Sequence, residues 1–310
     1  MKMKTNKYLT MAAAALMMAA CSSEDVPQVD SVTNTPIRIH AMVAELESRA
    51  GIDGNTDFSQ FYLSVKNNSN SNYSYSNVQV TKSGSGWEPA SPMYWQNSTT
   101  DVTVTAATFS LNGAQDLAVQ TDQSTADNVV ASDHLYMAAT SQSYAAVTDE
   151  KAEGAINVNF SHLMSKVNLT ITLADEFDAA TNPISNVTFQ GTVVSRSYTA
   201  GTGWATIPND ASATDIKAFT GTYTVPTQAK PNATAQYEVI LVPQQVAANG
   251  FAVQFQIDGR LFKWTSDDAV TLDSGTKYTL ALTAGDEKVS GASFSSTAWG
   301  NGGNNNVATE

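Results

Sequence analysis

Residues 156–173 read Ile-Asn-Val-Asn-Phe-Ser-His-Leu-Met-Ser-Lys-Val-Asn-Leu-Thr-Ile-Thr-Leu. Apolar side chains take every second place from Ile156 to Phe160 and again from Val167 to Leu173, the period of a half-buried strand. The same alternation returns on both sides of this stretch. Before it come Ile37 to Val43, Phe58 to Val65, Tyr75 to Thr81, Val102 to Phe109 and Leu135 to Ala139; after it come Val187 to Val194, Phe219 to Val225, Tyr237 to Val242, Phe251 to Ile257 and Tyr278 to Leu282. Gly, Asn, Asp and Pro punctuate the runs, and no long helical period interrupts them. Asp258-Gly259 between two runs predicts a tight hairpin, because both residues tolerate positive φ. Asn112-Gly113 predicts a second turn. Short alternating strands at this spacing predict an all-β chain of sandwiches. One sandwich does not need so many strands, so the list divides near Ser165 into an N-terminal β-sandwich, 37–165, and a C-terminal one, 166–310.

Composition narrows the function classes. The chain has 310 residues, 42% hydrophobic and 15% charged, enough for packed cores and too few charges for a solvated disordered chain. Its 16 Lys and Arg against 29 Asp and Glu give a net charge of −13. The cations are scattered singly beyond the extreme N-terminus, with no Lys/Arg cluster there, which disfavours a nucleic-acid partner.

The first twenty residues carry Lys2, Lys4 and Lys7, then an uncharged stretch from Tyr8 to Ala20 rich in Ala, Met and Leu. This is the order of an export signal, and the apolar run is too short for an ordinary membrane span. Met18-Ala19-Ala20-Cys21 resembles a bacterial lipobox, which makes Cys21 the site of lipid attachment and the outer membrane the anchoring surface. Cys21 is the only cysteine, so no internal disulfide can form. Removing residues 1–20 takes away three lysines and no acid, and the net charge of −13 becomes −16. Residues 21–36, with Pro27 and Pro36, read as a linker between lipid and first domain. Ser22-Ser23-Glu24-Asp25 resembles the acidic run of some surface-exported lipoproteins.

Little in the sequence points to catalysis, and no enzyme activity or cofactor is expected. His40, His134 and His162 stand in no His-x-x-x-His or Cys-His arrangement for zinc. No nucleophile elbow or Walker loop occurs, and Lys82-Ser83-Gly84-Ser85-Gly86 reads as a hairpin loop. Asp53, Asn55 and Asp57 space oxygens as a calcium loop does, but Phe58 stands where the sharp turn needs Gly. His162 reads as a hydrogen-bonded structural residue. The five tryptophans, 87, 95, 204, 264 and 299, read as core, with a sugar-stacking platform as the alternative.

Several landmarks together carry a family resemblance. They are the lipobox at Cys21, a first strand followed by Glu47-Ser48-Arg49-Ala50, the segment Trp87-x-Pro89…Pro92-x-Tyr94-Trp95, the stretch from Asn159 to Val167, and a last strand Val289-Ser290-Gly291-Ala292-Ser293-Phe294 leading to Trp299. In this order they resemble the fimbrillins, the pilus subunits and surface lipoproteins of anaerobic Gram-negative bacteria. The resemblance implies two tandem transthyretin-like Greek-key β-sandwiches. It also implies a lipidated precursor carried to the surface and cut by an Arg-specific protease, here between Arg49 and Ala50. The cut would free the first strand, with Ile37, Ile39, Ala41 and Val43 on its inner face. A terminal strand from another pilus subunit would fill the groove, and Val289, Ala292, Phe294 and Trp299 are the donor residues expected here. These four do not share one parity, so either a bulge near Ser295-Ser296 or partial insertion is expected. A structural or adhesive pilus subunit, with a host or bacterial surface ligand, is the reading this favours. A lipid-anchored glycan-binding protein and a pilus anchor subunit that keeps its first strand are the alternatives.

Overall fold

The computed structural model describes residues 32–43, 58–84, 86–145, 153–177, 180–225, 232–285 and 288–299, without the side chains of residues 291 and 292. The first half supplies β1 (Arg38–Val43), β2 (Gln60–Asn67), β3 (Tyr75–Ser83), β4 (Gly86–Pro89), β5 (Val102–Ala107), β6 (Ala114–Ala118), a short helix α1 (Ala126–Ser132), β7 (Leu135–Gln142) and β8 (Ala155–His162). All of these strands except β6 form one sheet in the order β1-β8-β7-β5-β2-β3-β4. The alternation explains the arrangement. Phe61, Leu63 and Val65 on β2, Val102, Val104 and Ala106 on β5, and Ile156, Val158 and Phe160 on β8 all turn to one side and bury there. Register shifts in the β2–β3 and β5–β7 pairs bend the sheet, and its two outermost strands, β1 and β4, approach each other around a shared core.

The second half supplies β9 (Ser165–Leu173), β10 (Ile184–Gln190), β11 (Ser195–Thr199), β12 (Gly203–Trp204), β13 (Ile216–Lys217), β14 (Phe219–Thr224), β15 (Thr234–Leu241), β16 (Gln244–Val246), β17 (Ala252–Ile257), β18 (Arg260–Thr265), β19 (Val270–Leu272), β20 (Thr276–Ala284) and β21 (Val289–Ala298). A five-stranded sheet, β14-β15-β9-β20-β21, faces a four-stranded sheet, β13-β10-β17-β18. Val167, Leu169, Ile171 and Leu173 of the first meet Val187, Phe189, Val253, Phe255 and Ile257 of the second in one buried core. Two inner faces filled by every second residue make a β-sandwich. The hairpin of β17 and β18 turns through Asp258 and Gly259 at φ 49° and 81°, as the Asp-Gly pair predicts.

The segment between β5 and β7 packs with the second core. Phe109, Leu117, Val119 and Val129 lie there, and β6 pairs antiparallel with β11 in a three-stranded sheet, β12-β11-β6. Gln123, fully buried, fastens this segment to β15. Its Nε2 donates to the Ile240 carbonyl and its Oε1 accepts from the Ile240 amide, both at 2.8 Å. The ladder of β14 with β15 stops at Glu238, so the Gln123 amide stands in for the missing strand neighbour. Replacing Gln123 by Leu leaves both Ile240 groups buried and unpaired, and is expected to cost about 2 kcal/mol or more. A lowered urea midpoint with an unchanged denaturant slope would report it, and an unmoved midpoint would contradict it.

Candidate functional site

β1 is held from one side. It runs parallel to β8 in unbroken register, from Arg38↔Ala155 to Val43↔Phe160. Just before it, the chain lies antiparallel to the segment after β4. Asn34 N donates to Trp95 O at 2.9 Å, Trp95 N to Thr35 O at 2.9 Å, and Ile37 N to Met93 O at 2.8 Å. Ile37, Ala41 and Val43 are buried and Ile39 is half-buried on the same core, while Arg38 and His40 face outward. Because β1 is the outermost strand, withdrawing it breaks its own ladder and leaves the pairings among β2–β5, β7 and β8 intact. What it would uncover is the apolar row Ile156, Val158 and Phe160.

β21 is also outermost, antiparallel to β20. Ser293 pairs with Ala281, but Ser290 pairs with Thr283, so β21 carries one extra residue at 291–292. The bulge lies there and not at Ser295-Ser296, whose pairing with Thr279 and Tyr278 is regular. It brings Val289 and Phe294, of opposite parity in a regular strand, opposite Ala284 and Leu280 on the inner face. Phe294 stacks on Tyr278 with centroids 5.1 Å apart and is still 36% exposed. Residues 293–298 are all exposed. Trp299 follows on the other face of the sheet and is buried.

The seat of Trp299 is a polar cluster where the two halves meet. The His162 ring, at the end of β8, lies flat on the indole at 3.7 Å and 5°. Its Nδ1–H donates to the Asp133 carboxylate, 2.8 Å to Oδ2 and 3.1 Å to Oδ1. Lys166, on β9, holds its ammonium 5.6 Å from the indole centre and 3.1 Å from Glu238 Oε2 on β15. The Lys166 and Glu238 side chains are 6% and 4% exposed. This ion pair is not aligned as a hydrogen bond, and both Glu238 oxygens, His162 Nε2 and Asn168 Oδ1 are buried without a hydrogen-bond partner among the described residues. Main-chain bonds close the seat: Trp299 N donates to Gly275 O at 2.7 Å, and Gly275 N to Met164 O at 3.0 Å.

A family model described as fimbrillin-like matches residues 47–299 of the sequence. The chain belongs to the fimbrillin-like family. Among solved structures, a protein from Bacteroides ovatus proposed to act in cell adhesion is similar with a TM-score of 0.61 at 15% identity, over 86% of this chain and 98% of that one. A second protein so described, from Bacteroides uniformis, gives 0.57 at 15% identity over 85% and 98%. A fimbrial protein from Bacteroides vulgatus gives 0.51 at 15% identity over 85% and 99%. At that identity the likeness bears on the fold, and it agrees with the all-β architecture described above. No curated protein sequence matches the chain.

In this fimbrillin-like chain, Cys21, Arg49, Ala50 and the loop 53–57 lie outside the described residues, and so does the side chain of Ala292. Of the five tryptophans two are buried, and Trp87, Trp204 and Trp264 are half-buried. Trp95 and Trp299 are buried, Trp87 stacks against Phe58 at 5.0 Å, and Trp204 sits edge-on to Tyr198 at 5.0 Å. No group of three His, Cys, Asp or Glu side chains among the described residues is placed to hold a metal. The cluster around Trp299 was not legible beforehand as a unit. His162 and Trp299 stood out singly, whereas Asp133, Lys166 and Glu238 carry no spacing that joins them.

Proposed function

We propose that this fimbrillin-like chain is a structural or adhesive pilus subunit. It is exported as a lipoprotein acylated at Cys21, held at the outer membrane, cut between Arg49 and Ala50 by an Arg-specific protease, and assembled with other pilus subunits by strand exchange at the cell surface. The observation that supports this reading is the placement of β1: outermost, laddered to β8 alone from Arg38 onward, and, with Ile37 just before it, filling the core with Ile37, Ile39, Ala41 and Val43. Arg49 follows six residues after Val43, so a cut there leaves β1 held by non-covalent contacts alone. Replacing that row by an incoming strand exchanges about 5–10 kcal/mol of side-chain burial, an upper figure, so the exchange is close to balanced or favourable. A donor strand entering beside β8 is β-augmentation, and because acceptor and donor surfaces differ, it propagates head to tail. β21 supplies the donor in this scheme.

Treating the folded, lipid-free chain with an Arg-specific protease tests the reading. The expected result is one native cut before Ala50 and, with the other subunits of the same pilus present, a ladder of oligomers that survives an unheated denaturing gel. A cut that leaves a monomer under every assembly condition would exclude a filament subunit. Resistance of Arg49 to the protease would leave an anchor subunit that keeps both its lipid and β1.

A further inference from the structure

We infer that the seat of β1 is shaped for a donor strand from a different subunit, and that a second copy of this chain fills it poorly. This rests on the strand-exchange reading and concerns which partner that site accepts. The seat has four subsites. Ile37 is buried beside Met93, Ile39 is half-buried opposite Ile156, Ala41 is 0% exposed opposite Val158, and Val43 is buried opposite Phe160. The order is large, large, small, medium. At the third subsite a side chain bigger than Ala overpacks a filled core, and at the other three a smaller one leaves a cavity. The register with β8 is unbroken over six residues, so the incoming strand must be regular.

β21 does not meet these terms. The bulge at 291–292 is what places Val289 and Phe294 on one face, and the seat has no place for a bulge. Drawn out as a regular strand, β21 and Trp299 offer two faces. One reads Val289, Gly291, Ser293, Ser295, Thr297, Trp299; the other reads Ser290, Ala292, Phe294, Ser296, Ala298. No four consecutive places on either face hold more than one apolar side chain larger than Ala. The best register sets Phe294 at the Ile39 subsite and Ser296 at the Ala41 subsite, but it puts Ala292 and Ala298 where Ile37 and Val43 belong. Setting Trp299 at the Val43 subsite sinks Ser293, Ser295 and Thr297 into the apolar row. The partner that fits is an extended segment with Ile- or Leu-sized residues at two alternate positions, then Ala, Ser or Gly, then Val, running parallel to β8. A filament containing this chain therefore places a different subunit on its β1 side.

Peptide exchange tests the inference. The lipid-free full chain, with a specific protease site inserted at Arg49 so that the cut does not depend on an Arg-specific enzyme, is cut with β1 still seated. Fluorescent peptides are then added and followed by anisotropy. A peptide of residues 36–43 is expected to exchange in, and a peptide of residues 289–299 to bind at least about 100-fold more weakly for want of two branched side chains. The 289–299 peptide carrying Ala292→Ile and Ala298→Val is expected to recover most of that loss. Equal uptake of the unmodified 289–299 peptide and the 36–43 peptide would overturn the inference, as would a doubly substituted peptide that gains nothing. If the cut protein takes up not even the 36–43 peptide, the strand-exchange reading itself fails and the inference falls with it.

Discussion

Lys166→Met is expected to destabilise the protein by about 3–5 kcal/mol, and adding Glu238→Leu to recover most of it. The reason is the position of the pair. Both side chains are almost fully buried at a 3.1 Å separation, and neither Glu238 oxygen has a hydrogen bond from the described residues to compensate for lost water. Two desolvated charges stabilise each other only mutually. Removing the ammonium leaves a buried carboxylate with no opposite charge at hand, whereas removing both replaces an ion pair by apolar volume, which is often neutral or better. Urea denaturation of the two single variants and the double variant closes a cycle that isolates the coupling. A Lys166→Met cost below about 1 kcal/mol, or a double variant no more stable than the sum of the singles, would mean that water reaches the pair.

Trp299→Ala is expected to cost about 3–5 kcal/mol and to release the end of β21. The indole is 5% exposed, lies flat on His162, and has the Lys166 ammonium near its ring. The preceding residues 293–298 are all exposed, so Trp299 is the one buried side chain in the run from 293 to 299. Hydrogen exchange separates anchorage from mere core packing. Amides of residues 293–298 and their β20 partners should lose protection by about 100-fold or more, while those of β9 and β15 change only by the global amount. Uniform loss across the second sandwich would show that Trp299 is an ordinary core residue.

Local alternation made the strands legible. β9 buries Val167, Leu169, Ile171 and Leu173 as their spacing requires, and the Asp258-Gly259 hairpin follows from the φ angles those residues tolerate. β6 and β11 escaped because each has too few apolar residues to show a period. α1 escaped because a seven-residue helix is shorter than the window in which a helical period emerges. The bulge in β21 was half legible. The mismatch in parity between Val289 and Phe294 left a bulge near Ser295-Ser296 or partial insertion open, and the pairing with β20 shows a bulge at 291–292.

Composition and order alone thus determined an acidic, all-β chain, since these follow from residue type and near-neighbour period, and the fimbrillin type was legible in the order of its motifs. The assignment of residues 109–129 to the second core, the Gln123 bridge and the seat of Trp299 needed the tertiary structure. Asp133, His162, Lys166, Glu238 and Trp299 lie as much as 166 positions apart in the sequence, from 133 to 299. No local pattern records such a meeting, because what creates it is the order of strands in the sheets and the need of each buried charge for a partner once water has been removed.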